Sequence, residues 1–158
     1  MIPKIKIKTK EEKDALLSLL GEVTQKIFSE EGSKAPVISD DWNRFSWFGD
    51  IKVFFKSLES GDSDYDTYTQ EIKNITSWLS DLPVIKLALP FEPTKQFVDS
   101  AYETVSGLEP NGLILDIILD KSILSGGKLF FRGQYVDLTL RSRINYLLSN
   151  ENAISKYL

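Results

Sequence analysis

Hydrophobic spacing changes character at Pro83, and this limits the chain to two different kinds of packing. Before Pro83, apolar residues recur every three or four positions. After it they fall in short, nearly continuous runs separated by glycine and proline. The first pattern belongs to helices that bury one stripe, the second to short buried strands. A length of 158 residues suits one compact domain or two small ones. The expectation is an α+β protein. A small helical bundle over 1–82 precedes a small α/β module over 83–158, ordered strand, helix, strand, hairpin, helix.

In the first half, residues 4–8 read as a short strand or an unstructured lead-in. Thr9 and Glu12 have capping-box spacing, which predicts a helix over 10–30 with Gly32 as its stop. Its stripe is Leu16, Leu20, Val23 and Ile27, widened by Leu17 and Phe28. A second helix is predicted over 40–58, capped by Ser39 or Asp40. Trp47, Phe48, Ile51, Phe54, Phe55 and Leu58 form its main stripe. Trp42, Phe45 and Val53 group around Gly49 on the opposite side. That side is either packed within the same domain or receives a partner's helix. A third helix, 64–80, carries Tyr65, Tyr68, Ile72, Ile75, Leu79 and Trp78, and ends before Pro83.

In the second half, VIKLALPF reads as a strand ended by Pro90 and Pro93. Thr94 caps a helix to about 106, with Phe97, Val98, Ala101, Tyr102 and Val105 inward. LILDIILD is the second strand. Gly126 and Gly127 mark a constrained turn or bulge. KLFF and YVDL flank Arg132-Gly133, the tip of a hairpin. Thr139 caps a last helix with Leu140, Ile144, Leu147 and Leu148 as its stripe, and the tail from Asn150 is polar.

The chain has no histidine and no cysteine. Serine–histidine triads, imidazole zinc sites, cysteine nucleophiles and disulfides therefore do not apply. The remaining candidates for acid–base work are Asp116, Asp120 and Asp137, near Lys121, Arg132 and Arg141. Asp116 and Asp120 share strand parity. The structural reading of these acids is the stronger: Asp120 as a turn-former before Lys121-Ser122, Asp137 as the residue that leads into the last helix. Asp62, Asp64 and Asp66 begin like a calcium loop. Such a loop needs Gly sixth and Glu twelfth, where this chain has Thr67 and Lys73, so the motif fails. Gly126-Gly127 fits neither GxxxxGK[ST] nor GxGxxG. No cofactor is expected.

Charge is uneven. Residues 1–82 hold 11 basic and 15 acidic side chains, residues 83–158 eight of each, and the pI is near 5.0. That balance argues against nucleic-acid binding, which needs a concentrated basic surface. MIPKIKIKTK lacks the apolar run of a signal peptide, and no stretch approaches the roughly 20 apolar residues of a membrane span. No direct membrane insertion is expected, and the cytoplasm is the expected location.

The stretches VIKLALPFEPTKQFVDSAYETV, LILDIILDKSILSGG and FFRGQYVDLTLRSRI resemble the C-terminal domain of the delta subunit of F-type ATP synthases. That is the family of the oligomycin-sensitivity-conferring protein. Asp120, Ser122, Ile123, Leu124, Gly126, Gly133, Asp137, Thr139, Leu140, Arg141, Arg143 and Ile144 match its pattern in order, over about 84–148. Ser125 stands where that pattern has the first glycine of a pair, unless Gly126-Gly127 is the pair and one residue is inserted. The first half shows three helices where the family has six. The resemblance implies a non-catalytic stator subunit at the periphery of the inner (plasma) membrane. Its helical half would hold N-terminal segments of the alpha subunits, through Trp42, Phe45, Gly49 and Val53. Its second half would grip the b subunits of the stalk, through Arg141, Arg143 and Tyr146. Asp120, Gly126, Gly127, Gly133, Asp137 and Thr139 would be turn residues. The alternatives are a small enzyme using the Asp cluster with a divalent metal, an unrelated adaptor, or the similar stalk subunit of archaeal-type rotary ATPases.

Overall fold

The computed structural model describes residues 5–29, 38–60 and 65–149. The chain divides after Leu82 into two compact units. The first is helical and the second is a four-stranded sheet with helices.

In the first unit, α1 spans Lys10–Ser29. The Thr9 hydroxyl accepts from the Glu12 N–H at 3.2 Å. The Glu12 carboxylate in turn accepts from the Thr9 and Lys8 N–H groups at 3.3 and 2.7 Å. Three otherwise free backbone donors are thereby satisfied. Leu16, Leu19, Leu20 and Val23 are fully buried, and α1 packs on α3, Tyr65–Asp81. Ile72, Ile75 and Leu79 supply the facing buried stripe of α3. Residues 5–8 form no strand, although Ile5 and Ile7 are buried.

The second helix starts later than its hydrophobic pattern predicts. Residues Asp40–Trp42 make one 3-10 turn, and α2 runs only over Phe48–Ser60. The reason is local. Asp, Asn and Ser side chains offer the backbone competing partners, which favours caps and turns over the interior of a helix. The Ser39 hydroxyl accepts from the Asp41 N–H and donates to its carboxylate. Asn43, Phe45 and Phe48 then bond back three residues, to the carbonyls of Asp40, Trp42 and Phe45. Trp47, Phe48, Ile51 and Phe55 are buried, with Phe54 and Leu58 at the margin.

In the second unit, β1 (Val84–Leu89) and β2 (Ile114–Leu119) are parallel and joined through α4 (Lys95–Ser106). The hairpin of β3 (Lys128–Phe131) and β4 (Gln134–Asp137) adds antiparallel to the other side of β1. The sheet order is β2-β1-β3-β4. Thr94 caps α4 by accepting from the Phe97 N–H at 3.3 Å. Tyr102, Ala101 and Val105 of α4 close over Ile85, Leu113, Leu115, Ile117, Leu129 and Phe131, which form the core of this unit. Phe97 leans outward instead, edge-on to Phe91 at 5.6 Å.

At the hairpin tip, Arg132 and Gly133 have φ of 49° and 78°. Two consecutive left-handed residues define the two-residue turn whose twist suits paired strands. The Arg132 guanidinium reaches Glu109 at 2.5 Å, which ties the tip to the loop before β2.

The last helix, α5, spans Leu140–Ser149. The residues from Asn150 lie outside the described ones, as do Gly32, Asp62 and Asp64.

Candidate functional site

Register places Lys128 and Asp137 opposite each other on adjacent strands, so their side chains share a sheet face. Lys128 also pairs with Asp120 at 3.3 Å. Asp120 closes the turn after β2 by accepting from the Ser122 N–H at 3.0 Å and from its hydroxyl. Asp137 closes the corner after β4. It accepts from the Thr139 N–H at 2.9 Å and from the Tyr135 hydroxyl at 3.2 Å. Thr139 is buried and accepts from the Ser142 N–H at 3.3 Å, capping α5. The two acids thus anchor two corners on either side of one lysine.

The hydrogen bonds from Ser122, with Lys128 beside it, hold the Asp120 carboxyl below its ordinary range. Those from Thr139 and Tyr135, again with Lys128, do the same for Asp137. Partial desolvation and the adjacent Asp137 push the Tyr135 hydroxyl upward. Carboxylates whose folded pKa is depressed contribute stability that is complete above the unfolded value. That stability is lost as pH falls through the folded values. Acid unfolding of the second unit is therefore expected to begin near the ordinary carboxylate pKa of about 4 and to deepen below it. Asp120→Asn/Asp137→Asn should be less stable at neutral pH and flatter across this window. Parallel acid-titration curves for the two proteins, followed by circular dichroism, would remove both acids from the account.

Asp116 and Asp120 do not form a dyad. Four residues along extended chain separate them by about 13 Å, and Asp116 lies level with Lys86 while Asp120 turns to Lys128. Lys121 is exposed, and Arg132 is engaged by Glu109. Asp66 is exposed in the first turn of α3. Among the described residues, no three acidic side chains converge as a metal site would require.

Gly126 has φ +86°. A Cβ there would overlap the Leu138 carbonyl oxygen and lie 2.9 Å from the Thr139 Cα. Gly127 sits against the Ala88 carbonyl, and its own carbonyl accepts from the Leu138 N–H at 2.9 Å. The Leu140 N–H bonds to the Ser125 carbonyl at 3.0 Å. These close backbone contacts fix where α5 begins.

The orientation of α5 is the feature that periodicity missed. The two described members of its apolar stripe are exposed, Leu140 at 48% and Ile144 at 44%. Ser142 is half-buried, and with Arg141 and Asn145 it borders a cleft of about 490 Å³ that also touches Lys128, Tyr135 and Asp137. Arg143 and Tyr146 are exposed. Leu124, Tyr135, Val136 and Leu138 add further exposed apolar surface. Tyr135 and Val136 are successive residues of β4 and so lie on opposite faces of the sheet. The sequence signal was available in Ser142 and Asn145, polar residues on the side assigned to solvent.

In the first unit, Trp42 and Phe45 are half-buried. Phe45 stacks on Trp47 at 5.2 Å and 11°, with Trp42 beyond it at 6.2 Å. The Arg44 guanidinium covers Phe45 at 4.7 Å. Val53 is 70% exposed, and a Cβ on Gly49 would meet open space. The α2 helix is therefore packed on one side only along Gly49 and Val53.

No family model and no curated protein matches the chain. A chain of the Toxoplasma gondii mitochondrial ATP synthase hexamer, from a composite cryo-electron microscopy model, is similar at 14% identity with a TM-score of 0.37. The match covers 88% of this chain and 83% of that one.

Proposed function

We propose that this chain is a non-catalytic peripheral-stalk subunit of an F-type ATP synthase, joining the catalytic head to the b stalk and resisting rotor torque. One observation carries the reading. Gly126, Asp137 and Thr139, which belong to the delta-subunit pattern, build the corner that sets the start of α5, and α5 leaves Leu140 and Ile144 exposed. A helix fixed by buried caps and presented to solvent is built for a partner, not for a reaction. In this reading the b subunits dock on α5. The N-terminal segments of the alpha subunits dock on the open side of α2 at Gly49 and Val53. The protein then works at the cytoplasmic surface of the membrane as part of the complex.

The test is affinity purification of the tagged chain from its native membranes in mild detergent, with mass spectrometry of what elutes. Alpha, beta and b subunits are expected together. Gly49→Lys is expected to reduce recovery of the alpha subunit, and Arg143→Glu recovery of b. Elution without any ATP synthase subunit would remove the proposal.

A further inference from the structure

We infer that α5 recognises one kind of partner: an amphipathic helix whose apolar stripe is edged with Glu or Asp on both sides. The inference rests on the stalk reading for where such a helix comes from, but not for its chemistry. At about 100° per residue, Leu140 and Ile144 lie about 40° apart. Arg143 then falls about 60° outside Leu140, and Arg141 about 60° outside Ile144. The two arginines bracket the stripe. In heptad terms Leu140 and Ile144 take d and a, Leu147 continues the spacing in sequence, and Arg141 and Arg143 take e and g. Those are the positions whose charges choose the partner of a helix pair.

Both guanidiniums are exposed, and neither has an ion-pair partner among the described residues. The helix contains no acidic residue. A second copy of α5 would set arginine against arginine, and like charges across a seam disfavour pairing. The nine residues after Ser149 hold one acid and one base, a balance with no acidic excess. An anionic bilayer is the weaker occupant. Lipid-binding segments cluster about four to eight basic side chains, and the α5 sequence has only Arg141 and Arg143.

The full chain is titrated with two fluorescent three-heptad peptides that share Leu and Ile at a and d. One carries Glu at e and g, the other Lys. The Glu peptide is expected to bind at least about tenfold more tightly, a difference of about 1.4 kcal/mol. Arg141→Glu/Arg143→Glu is expected to reverse the order, with circular dichroism showing that the variant folds. The order on the unaltered chain is decisive by itself. Equal affinities, no binding by either peptide, self-association that excludes the Glu peptide, or stronger binding to phosphatidylserine vesicles would each overturn the inference. Loss of peptide discrimination in a chain that still copurifies with b removes this inference and leaves the stalk reading. Discrimination without copurification does the reverse.

Discussion

Gly126→Ala is expected to cost the second unit a large share of its stability, although it adds a single methyl group. The residue sits at φ +86°, where a side chain costs roughly 1–2 kcal/mol. The larger penalty is steric. The new Cβ would overlap the Leu138 carbonyl and press on the Thr139 Cα, so backbone has to move rather than a side-chain tip. That segment holds the Leu138 and Leu140 N–H bonds and the Thr139 cap. Losing this set with the strain amounts to about 3–5 kcal/mol, against a total of about 5–15 for a small domain. Urea unfolding of the variant followed by circular dichroism measures the loss. Gly49→Ala is the control, because its Cβ would enter open space on a helix and alanine favours helix by up to about 1 kcal/mol. A Gly126→Ala variant as stable as the parent would mean that the corner before α5 is not rigid.

Trp47→Ala is expected to produce the largest loss in the first unit, about 3–5 kcal/mol. Trp47 is 1% exposed and is the largest fully buried side chain. It is also the surface on which Phe45 stacks, with Trp42 behind it. Truncation empties part of the core and releases the aromatic step that leads into α2. Trp47→Phe should cost far less. Its ring keeps most of the volume, and it removes an indole N–H that is buried without a hydrogen-bond partner among the described residues, an arrangement that carries its own penalty. The pair of urea midpoints checks this directly. Similar losses in both variants would show that the indole nitrogen is engaged rather than orphaned.

The features legible in the sequence are those decided within a few residues. The Thr9–Glu12 capping box, the caps at Thr94 and Thr139, and the Arg132-Gly133 turn depend on neighbours already adjacent in the chain. The start of α2 was less legible. Its apolar stripe extends in principle back to Trp42, but Ser39, Asp40 and Asp41 satisfy the backbone in another way. The orientation of α5 was not legible from spacing. A period of 3.6 identifies a stripe without saying what covers it, and here Leu140 and Ile144 remain exposed. The pairing of Lys128 with Asp120 depends on β3 lying next to β1, a long-range choice that local pattern does not fix, whereas Asp137 stands opposite Lys128 through the hairpin itself.

Strand β1 lies between β2 and β3, and both neighbours are made after it. As the chain leaves the ribosome, α1 to α3 are complete before β1 has either companion. β1 gains its first neighbour with Leu119 and its second only with Phe131. Until then it offers a row of unpaired amide and carbonyl groups, the template on which strands of different chains associate. A fragment ending at Gly127 keeps α4 and β2 but leaves one side of β1 bare. Such a fragment is expected to be insoluble, whereas one ending after Asp137 has that side covered. The hairpin is therefore the step that closes the vulnerable interval in synthesis.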